Sequence, residues 1–314
     1  MKHAIVADIG GTNIRAALVT SSGEIVQKLK EPNSKEPIQM LYKLIDTLLS
    51  EHQADLTGIG IAVAGLIDSK SGTVLQSPNI SSLNGINLKQ ETAQKYNKLV
   101  VVENDANAAA FGERWKGTGK KFENFVMLTL GTGIGGGIIV KGKLLQVAAE
   151  IGHISINSNG RPCACGNMGC LETYASATAI VGNAIAEIEK GTESILKAAY
   201  KGNFYKITAE DIYKAALDGD SVARTVVREA GKHLGTGIAS IINIMSPEAI
   251  ILTGGLLGAW NIYIEAAINE AAKRALKELY SRVSIVPSEL ADDAGMIGAA
   301  GLVFEQSQQS STSN

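Results

Sequence analysis

Ala4-Ile5-Val6-Ala7-Asp8-Ile9-Gly10-Gly11-Thr12-Asn13-Ile14-Arg15-Ala16-Ala17-Leu18-Val19 decides how this chain is read. Two runs of strand-forming residues flank a pair of glycines, a pattern that predicts strand, tight turn, strand. Ser22-Gly23 marks another turn, and residues 24–30 read as a third strand. Gly10 and Gly11 carry no side chains, so backbone N–H groups there can approach an anion, and the Thr12 hydroxyl adds a donor beside Asn13. A carboxylate beside a phosphate repels it unless a divalent cation lies between them. Asp8 therefore reads as an Mg2+ contact, direct or through water. Taken alone, the motif fits equally well a hairpin turn with a solvated aspartate.

The opening pattern recurs. Phe125-Val126-Met127-Leu128-Thr129-Leu130 leads into Gly131-Thr132-Gly133-Ile134-Gly135-Gly136-Gly137, and Ile138-Ile139-Val140 resumes a strand. This turn contains G-x-G-x-x-G, but a dinucleotide fingerprint needs a helix directly after the glycines. A strand follows here, so the dinucleotide reading fails. The turn can still wrap phosphates with backbone N–H groups and the Thr132 hydroxyl. A third glycine pair, Gly254-Gly255, follows the apolar run Ala249-Ile250-Ile251-Leu252-Thr253 and suits a nucleotide base or ribose lying on bare backbone. Three such turns, one of them with an aspartate, favour a nucleotide cleft between two lobes.

Between these landmarks, apolar periodicity predicts helices over residues 37–53, 88–96 and 105–115, and buried strands over 58–63 and 99–102. The second half is mostly helical, over residues 175–188, 208–216, 221–245 and 261–280, with a late strand at 283–286 and a final helix over 295–304. Gly117-Thr118-Gly119-Lys120-Lys121 is the linker and hinge expected between the lobes. The domain plan that follows is a smaller α/β lobe of residues 1–116 plus 296–308 and a larger one of 117–295. The polar residues 309–314 are expected to form a disordered tail.

Bulk properties narrow the function. The chain has 314 residues, 45% of them hydrophobic and 19% charged, with 29 basic and 31 acidic side chains and a formal net charge of -2. That balance describes a globular protein large enough for two lobes and lacks the basic surplus of a nucleic-acid binder. Residues 234–264 are the least charged stretch, but Pro247, Glu248 and the Gly254-Gly255 pair interrupt them, so no membrane span is expected. No secretory leader is visible before the first strand, which predicts a cytoplasmic location.

Two further constellations carry chemistry. Glu103-Asn104-Asp105 follows the buried strand over 99–102, and polar residues at such a strand end face ligand. Asn104 can donate to and accept from sugar hydroxyls. Asp105, ionised at neutral pH like any ordinary aspartate, can accept the proton of an attacking hydroxyl. Either residue could instead serve as a helix N-cap. The second constellation is Glu150-Ile151-Gly152-His153 with Cys163-Ala164-Cys165-Gly166-Asn167-Met168-Gly169-Cys170-Leu171-Glu172. Three cysteines within eight residues make a poor disulfide set. With His153 they would make a closed Cys3His zinc site, structural because no coordination position is left open; the alternative is free buried thiols and a core histidine. That loop would bring Glu150 and Glu172 together to accept sugar hydroxyls, with the second ring nitrogen of His153 donating to the sugar.

These motifs resemble those of the ROK family of bacterial and archaeal sugar kinases and repressors, over residues 1–304. The resemblance implies a two-lobed, actin-like (ribonuclease-H-like) α/β fold with the active site in the interlobe cleft. It implies ATP, Mg2+ and a structural Zn2+. The family's catalytic base matches Asp105, and its sugar-holding residues match Asn104, Glu150, His153 and Glu172, with Gly65 and Asn79 resembling further sugar contacts. Residues matching Gly10, Gly11, Thr12, Thr132, Gly133, Gly254 and Gly255 line the nucleotide site. His153, Cys163, Cys165 and Cys170 match the zinc ligands. The pattern is most similar to members that phosphorylate the 6-hydroxyl of glucose. N-acetylmannosamine, N-acetylglucosamine or fructose are the alternative substrates, and a non-catalytic sugar sensor is a further one. Family repressors carry a DNA-reading segment before the first glycine turn; with Asp8 so near residue 1, a repressor is not expected. Sugar binding is expected to close the lobes, and the resemblance implies a homo-oligomer, dimer or tetramer.

Overall fold

The computed structural model describes residues 1–52 and 55–312. Twelve strands are found among them: β1 Lys2–Ile9, β2 Asn13–Thr20, β3 Ile25–Pro32, β4 Asp55–Val63, β5 Leu66–Asp68, β6 Thr73–Gln76, β7 Leu99–Asn104, β8 Phe125–Leu130, β9 Ile134–Val140, β10 Lys143–Leu144, β11 Ala249–Thr253 and β12 Ser284–Pro287. They build two five-stranded sheets, ordered β3-β2-β1-β4-β7 and β10-β9-β8-β11-β12, and a small β5-β6 ribbon. Each large sheet takes its own strands in the order third, second, first, fourth, fifth. The repeated glycine hairpin in the sequence is thus the outward sign of a duplicated sheet plan.

In the first sheet β1 pairs antiparallel with β2, and β2 antiparallel with β3; β4 runs parallel to both β1 and β7. Alternation along β1 buries both faces. Ile5, Ala7 and Ile9 join Leu41, Leu44, Ile45 and Leu48 of the helix Pro37–Glu51 in one core. Ala4 and Val6 join Met296, Ala299, Ala300 and Val303 of the helix Ala294–Thr312 in a second core on the other face. Period-2 side-chain direction sends neighbouring residues to opposite faces, so one apolar strand serves both layers. The register matters for function. Ile9 pairs with Val63, and Val63 with Asn104, so the carboxyl ends of the three parallel strands lie at one edge. In α/β sheets that edge is where ligands bind.

The chain forms two compact units. One comprises residues 1–127, 137–149 and 288–314, and the other residues 128–136 and 150–287. The expected division was 1–116 plus 296–308 against 117–295. Residues 117–121, read as the hinge, belong to the first unit. There Thr118–Lys121 form a 3-10 turn with Gly119 buried. The turn is pinned from behind, because the Thr118 amide donates to the fully buried Glu113 carboxylate at 2.7 Å. A linker reading from glycine and lysine content could not see that bond.

Several helices keep their predicted bounds. The helix Ser221–Met245 starts where Asp220 caps it, the Asp220 side chain accepting the Ala223 amide. The predicted helix over 261–280 is broken into a π-helical turn Trp260–Ile264, a helix Glu265–Arg274 and a short Lys277–Tyr280. Asn243 causes part of the break, its Oδ1 accepting the Leu276 amide at 2.9 Å. The last helix runs on to Thr312, past its expected end and into the expected tail. No helix of the described residues is long and apolar enough to cross a membrane.

Candidate active site

In the first unit, the β1–β2 turn, the residues after β4 and the residues after β7 form one cluster. The Gly10 amide donates to the Asn13 carbonyl at 3.0 Å, closing the turn. Asn33 braces it, its Nδ2 donating to the Gly10 carbonyl at 2.7 Å and its amide to the Thr12 carbonyl at 2.8 Å. Gly11 and Thr12 are left exposed, as a phosphate-facing turn requires. Asn79 lies against Gly11, where a Cβ would stand 3.0 Å from that of Asn79. Asp8 is paired across the hairpin with Arg15, whose Nε donates to Oδ2 at 3.0 Å. The charge assigned from sequence to Mg2+ is therefore already countered by a guanidinium. A single carboxylate suits an Mg2+ ion held chiefly by nucleotide phosphates.

Asn104 fulfils the capping alternative. Its Oδ1 accepts the amides of Ala106 at 2.9 Å and Asn107 at 3.0 Å, and so opens the helix Asp105–Lys116. Its Nδ2 donates to the Gly65 carbonyl at 2.9 Å, which joins the end of β7 to the end of β4 and leaves one amide hydrogen for a ligand. Asp105 is the first helical residue and is half-buried. The Ala106 amide also donates to its Oδ1 at 2.9 Å, and the dipole of the helix start favours a carboxylate there.

Glu103 was missed as a site residue. It is buried, and its Oε1 accepts from Ser69 Oγ at 2.8 Å, the Asn104 amide at 2.9 Å and Asn107 Nδ2 at 3.1 Å. It holds the strand end and the first helical turn in one geometry. Its place in an unbroken polar triplet at a strand end was the available signal.

In the second unit, Glu172 reaches the other glycine turn, its Oε2 accepting the Ile134 amide at 2.9 Å. Two glycines make this possible: a Cβ on Gly133 would lie 2.3 Å from that oxygen, and one on Gly152 would lie 2.1 Å from the Ile134 carbonyl oxygen. The Thr178 hydroxyl donates to the Thr132 carbonyl at 2.8 Å. Gly254, at φ 103°, sits where a Cβ would meet the Leu130 carbonyl oxygen at 2.3 Å, so the second and third glycine turns are neighbours. Beside Gly255 there is open space. The phosphate-type turn and the proposed sugar-holding loop are thus one assembly.

That loop contains the His153, Cys163, Cys165 and Cys170 cluster, whose ligand atoms all lie within 4.8 Å of one another. His153 Nδ1 is 3.6 Å from Cys163 Sγ, and Cys165 Sγ is 3.7 Å from Cys170 Sγ. Zinc–sulfur bonds of about 2.3 Å arranged tetrahedrally place two sulfurs about 3.8 Å apart, so the set fits Zn2+. Burial pushes the Cys170 thiol up to about 12, while the Asn167 backbone amide lowers Cys165. Three thiols in one cluster resist joint ionisation, and a bound divalent cation would remove that cost.

Nδ1 faces the thiols, so Nε2 is the nitrogen turned away from them, 3.9 Å from Glu150 Oε2. Burial raises the Glu150 pKa above the usual carboxylate value. His153 opposes the rise and the charge of Glu172 adds to it, so the two carboxylates share one field. The structure therefore gathers Glu150, His153 and Glu172 in the second unit, and Gly65, Asn79, Asn104 and Asp105 in the first.

Strand order and the repeated hairpin define the class: a two-lobed α/β protein of actin-like, ribonuclease-H-like fold. The profile of the ROK family matches residues 4–306, and the chain belongs to that family. It is 37% identical over 312 residues to a glucokinase of Halalkalibacterium halodurans, spanning 95% of this chain and 94% of that protein. A ROK family glucokinase from Streptomyces griseus, solved in complex with glucose and AMPPNP, matches with TM-score 0.82 at 34% identity, covering 96% of this chain and 99% of that one. A ROK family transcriptional regulator, a homologue of the E. coli MLC protein, matches with TM-score 0.87 at 30% identity, covering 98% of this chain and 81% of that one. Kinases and regulators thus share this fold.

Proposed function

We propose that the protein is an ATP-dependent sugar kinase that transfers the γ-phosphoryl group to the 6-hydroxyl of glucose, giving glucose 6-phosphate and ADP. The observation that carries this reading is the β7 corner, where the buried Glu103 and the capping Asn104 present Asp105 at a helix start. A protein that only senses a sugar needs no such positioned base. The glucokinase relatives support the choice of substrate.

In this mechanism Asp105 accepts the proton as the 6-oxygen attacks the γ-phosphorus, and the bond from phosphorus to the bridging oxygen of ADP breaks. Asn104, Glu150, His153 and Glu172 hold the remaining sugar oxygens, with Gly65 and Asn79 beside them. The turns at Gly10, Gly11, Thr12, Asn13, Thr132 and Gly133 wrap the phosphates with N–H and hydroxyl donors, and Gly254 and Gly255 carry the nucleoside. Asp8 is the residue that would contact Mg2+ bound with ATP, directly or through water, and the ion would supply charge neutralisation at the phosphates. Bound to His153, Cys163, Cys165 and Cys170, Zn2+ would supply loop rigidity and fix the His153 tautomer, leaving Nε2–H to donate to the sugar. The same reading makes the protein a cytoplasmic homo-oligomer without a nucleic-acid partner.

The test is ADP release by the purified protein with ATP, Mg2+ and a panel of hexoses. Glucose should give the highest kcat/KM, above fructose, N-acetylglucosamine and N-acetylmannosamine. Preference for another hexose would reassign the substrate. Glucose binding without ADP release would instead favour a sensor, the role suggested by the likeness to the regulator.

A further inference from the structure

Glu113 takes no part in the site described above, yet it is fully buried. It lies eight residues after Asp105 on the same helix, about 12 Å along the axis at about 1.5 Å per residue. Its Oε2 accepts the Thr118 amide at 2.7 Å. Its Oε1 accepts the Ser288 hydroxyl at 2.6 Å and the Leu290 amide at 2.9 Å. Ser288 Oγ in turn accepts the Ala291 amide at 2.8 Å, at the entrance to the helix Ala294–Thr312. The fit has no slack, because a Cβ on Gly117 would lie 2.2 Å from Glu113 Oε2.

A buried carboxylate met by neutral donors is a costly choice for holding two turns against a helix. Apolar packing would do that with less desolvation. What the carboxylate adds is direction: three donors fix the end of the helix along and about its axis. Both turns it holds flank passages of the chain between the two units, since Ser288 follows the crossing at 287/288 and Thr118 precedes the one at 127/128.

We propose that Glu113 is a positioning residue for phosphoryl transfer, clamping the far end of the helix that Asp105 begins to the turns at 117–121 and 288–291. The role rests on Asp105 being the base. It makes the turn at 117–121 an anchor rather than a flexible hinge. Since displacements of about 1 Å can cost about a hundredfold in rate, loosening this clamp lowers turnover without touching the sugar contacts.

The test compares wild type with Glu113→Gln and Ser288→Ala. Gln keeps the shape but turns an amide N–H2 toward at least one donor. Hydrogen exchange at the Thr118 and Leu290 amides should accelerate at least about tenfold in Glu113→Gln. Per folded molecule, kcat should fall about tenfold or more, with KM for glucose within about twofold of wild type. Ser288→Ala, which removes one donor only, should shift both readouts the same way by less, and it carries the test if Glu113→Gln does not fold. Unchanged exchange, an unchanged kcat, or a glucose KM rising in step with the loss of kcat overturns the proposal. Absence of glucose-dependent ADP release in wild type instead overturns the kinase reading, and the exchange arm then judges the clamp by itself.

Discussion

The β7 corner and the cysteine loop are built on opposite principles. At the corner, Glu103, Asn104 and Asp105 are set by regular structure: a buried strand ends, a helix begins, and the buried Glu103 and half-buried Asn104 side chains complete the hydrogen bonds of both. The loop carries Glu150, His153 and Glu172 on short turns and isolated bridges such as Ser155 with Cys170 and Pro162 with Met168. Its four metal-type ligands range from buried Cys170 to exposed Cys165. Burial can position a group that has only one thing to do, such as accepting a proton. On the proposed function, several sugar hydroxyls are met at once, over a wider surface than one strand end offers. A loop can reach that surface only if something other than a hydrophobic core stiffens it, and the His/Cys3 cluster fits that need.

The comparison breaks first at Asp105. Asp105→Ala should lower kcat about a hundred- to ten-thousandfold while glucose affinity changes little, as read by single-turnover kinetics and calorimetry. Equal losses in kcat and affinity would make the residue a sugar ligand rather than a base. Next in size comes the ion. Chelation, or Cys165→Ala, should release one zinc per chain by elemental analysis and weaken glucose binding severalfold or more, while far-UV circular dichroism keeps most of its amplitude. A metal-free protein that binds glucose normally would break the link between cluster and sugar site. The smallest effect is expected where loop and glycine turn touch. Gly133→Ala puts a methyl group where Glu172 Oε2 now lies, and should cost about 1–3 kcal/mol in urea unfolding and raise the glucose KM. Wild-type stability and KM would show that Glu172 does not depend on the close approach at Gly133.

Much of this architecture was legible because it rests on local patterns. Alternating apolar residues around Gly10-Gly11 and around the glycines after Leu130 specified two hairpins, and both formed. Spacing brought His153 and the three cysteines into one predicted set, and the structure gathers their ligand atoms. The β5-β6 ribbon and the helix Ile195–Tyr200 were not foreseen, because three to six residues give too short a window for periodicity. The break before Leu276 depends on the side chain of Asn243, 33 residues away. Residues 117–121 looked like a linker because glycine and lysine say nothing of a buried carboxylate waiting behind them.

The sequence by itself determined the types of element, the glycine turns, the candidate ligand residues and their chemistry, since each depends on neighbours along the chain. Tertiary structure alone decided which of these residues meet. Parallel pairing of β1, β4 and β7 put Gly10, Gly65 and Asp105 at one edge. Folding turned His153 Nδ1 toward sulfur and Nε2 toward Glu150, and it matched Arg15 to Asp8 and Glu113 to three donors, two of them 175 and 177 residues away. The physical reason is that a hydrogen bond or ion pair acts over a few ångströms of space, whereas periodicity records only separation along the chain.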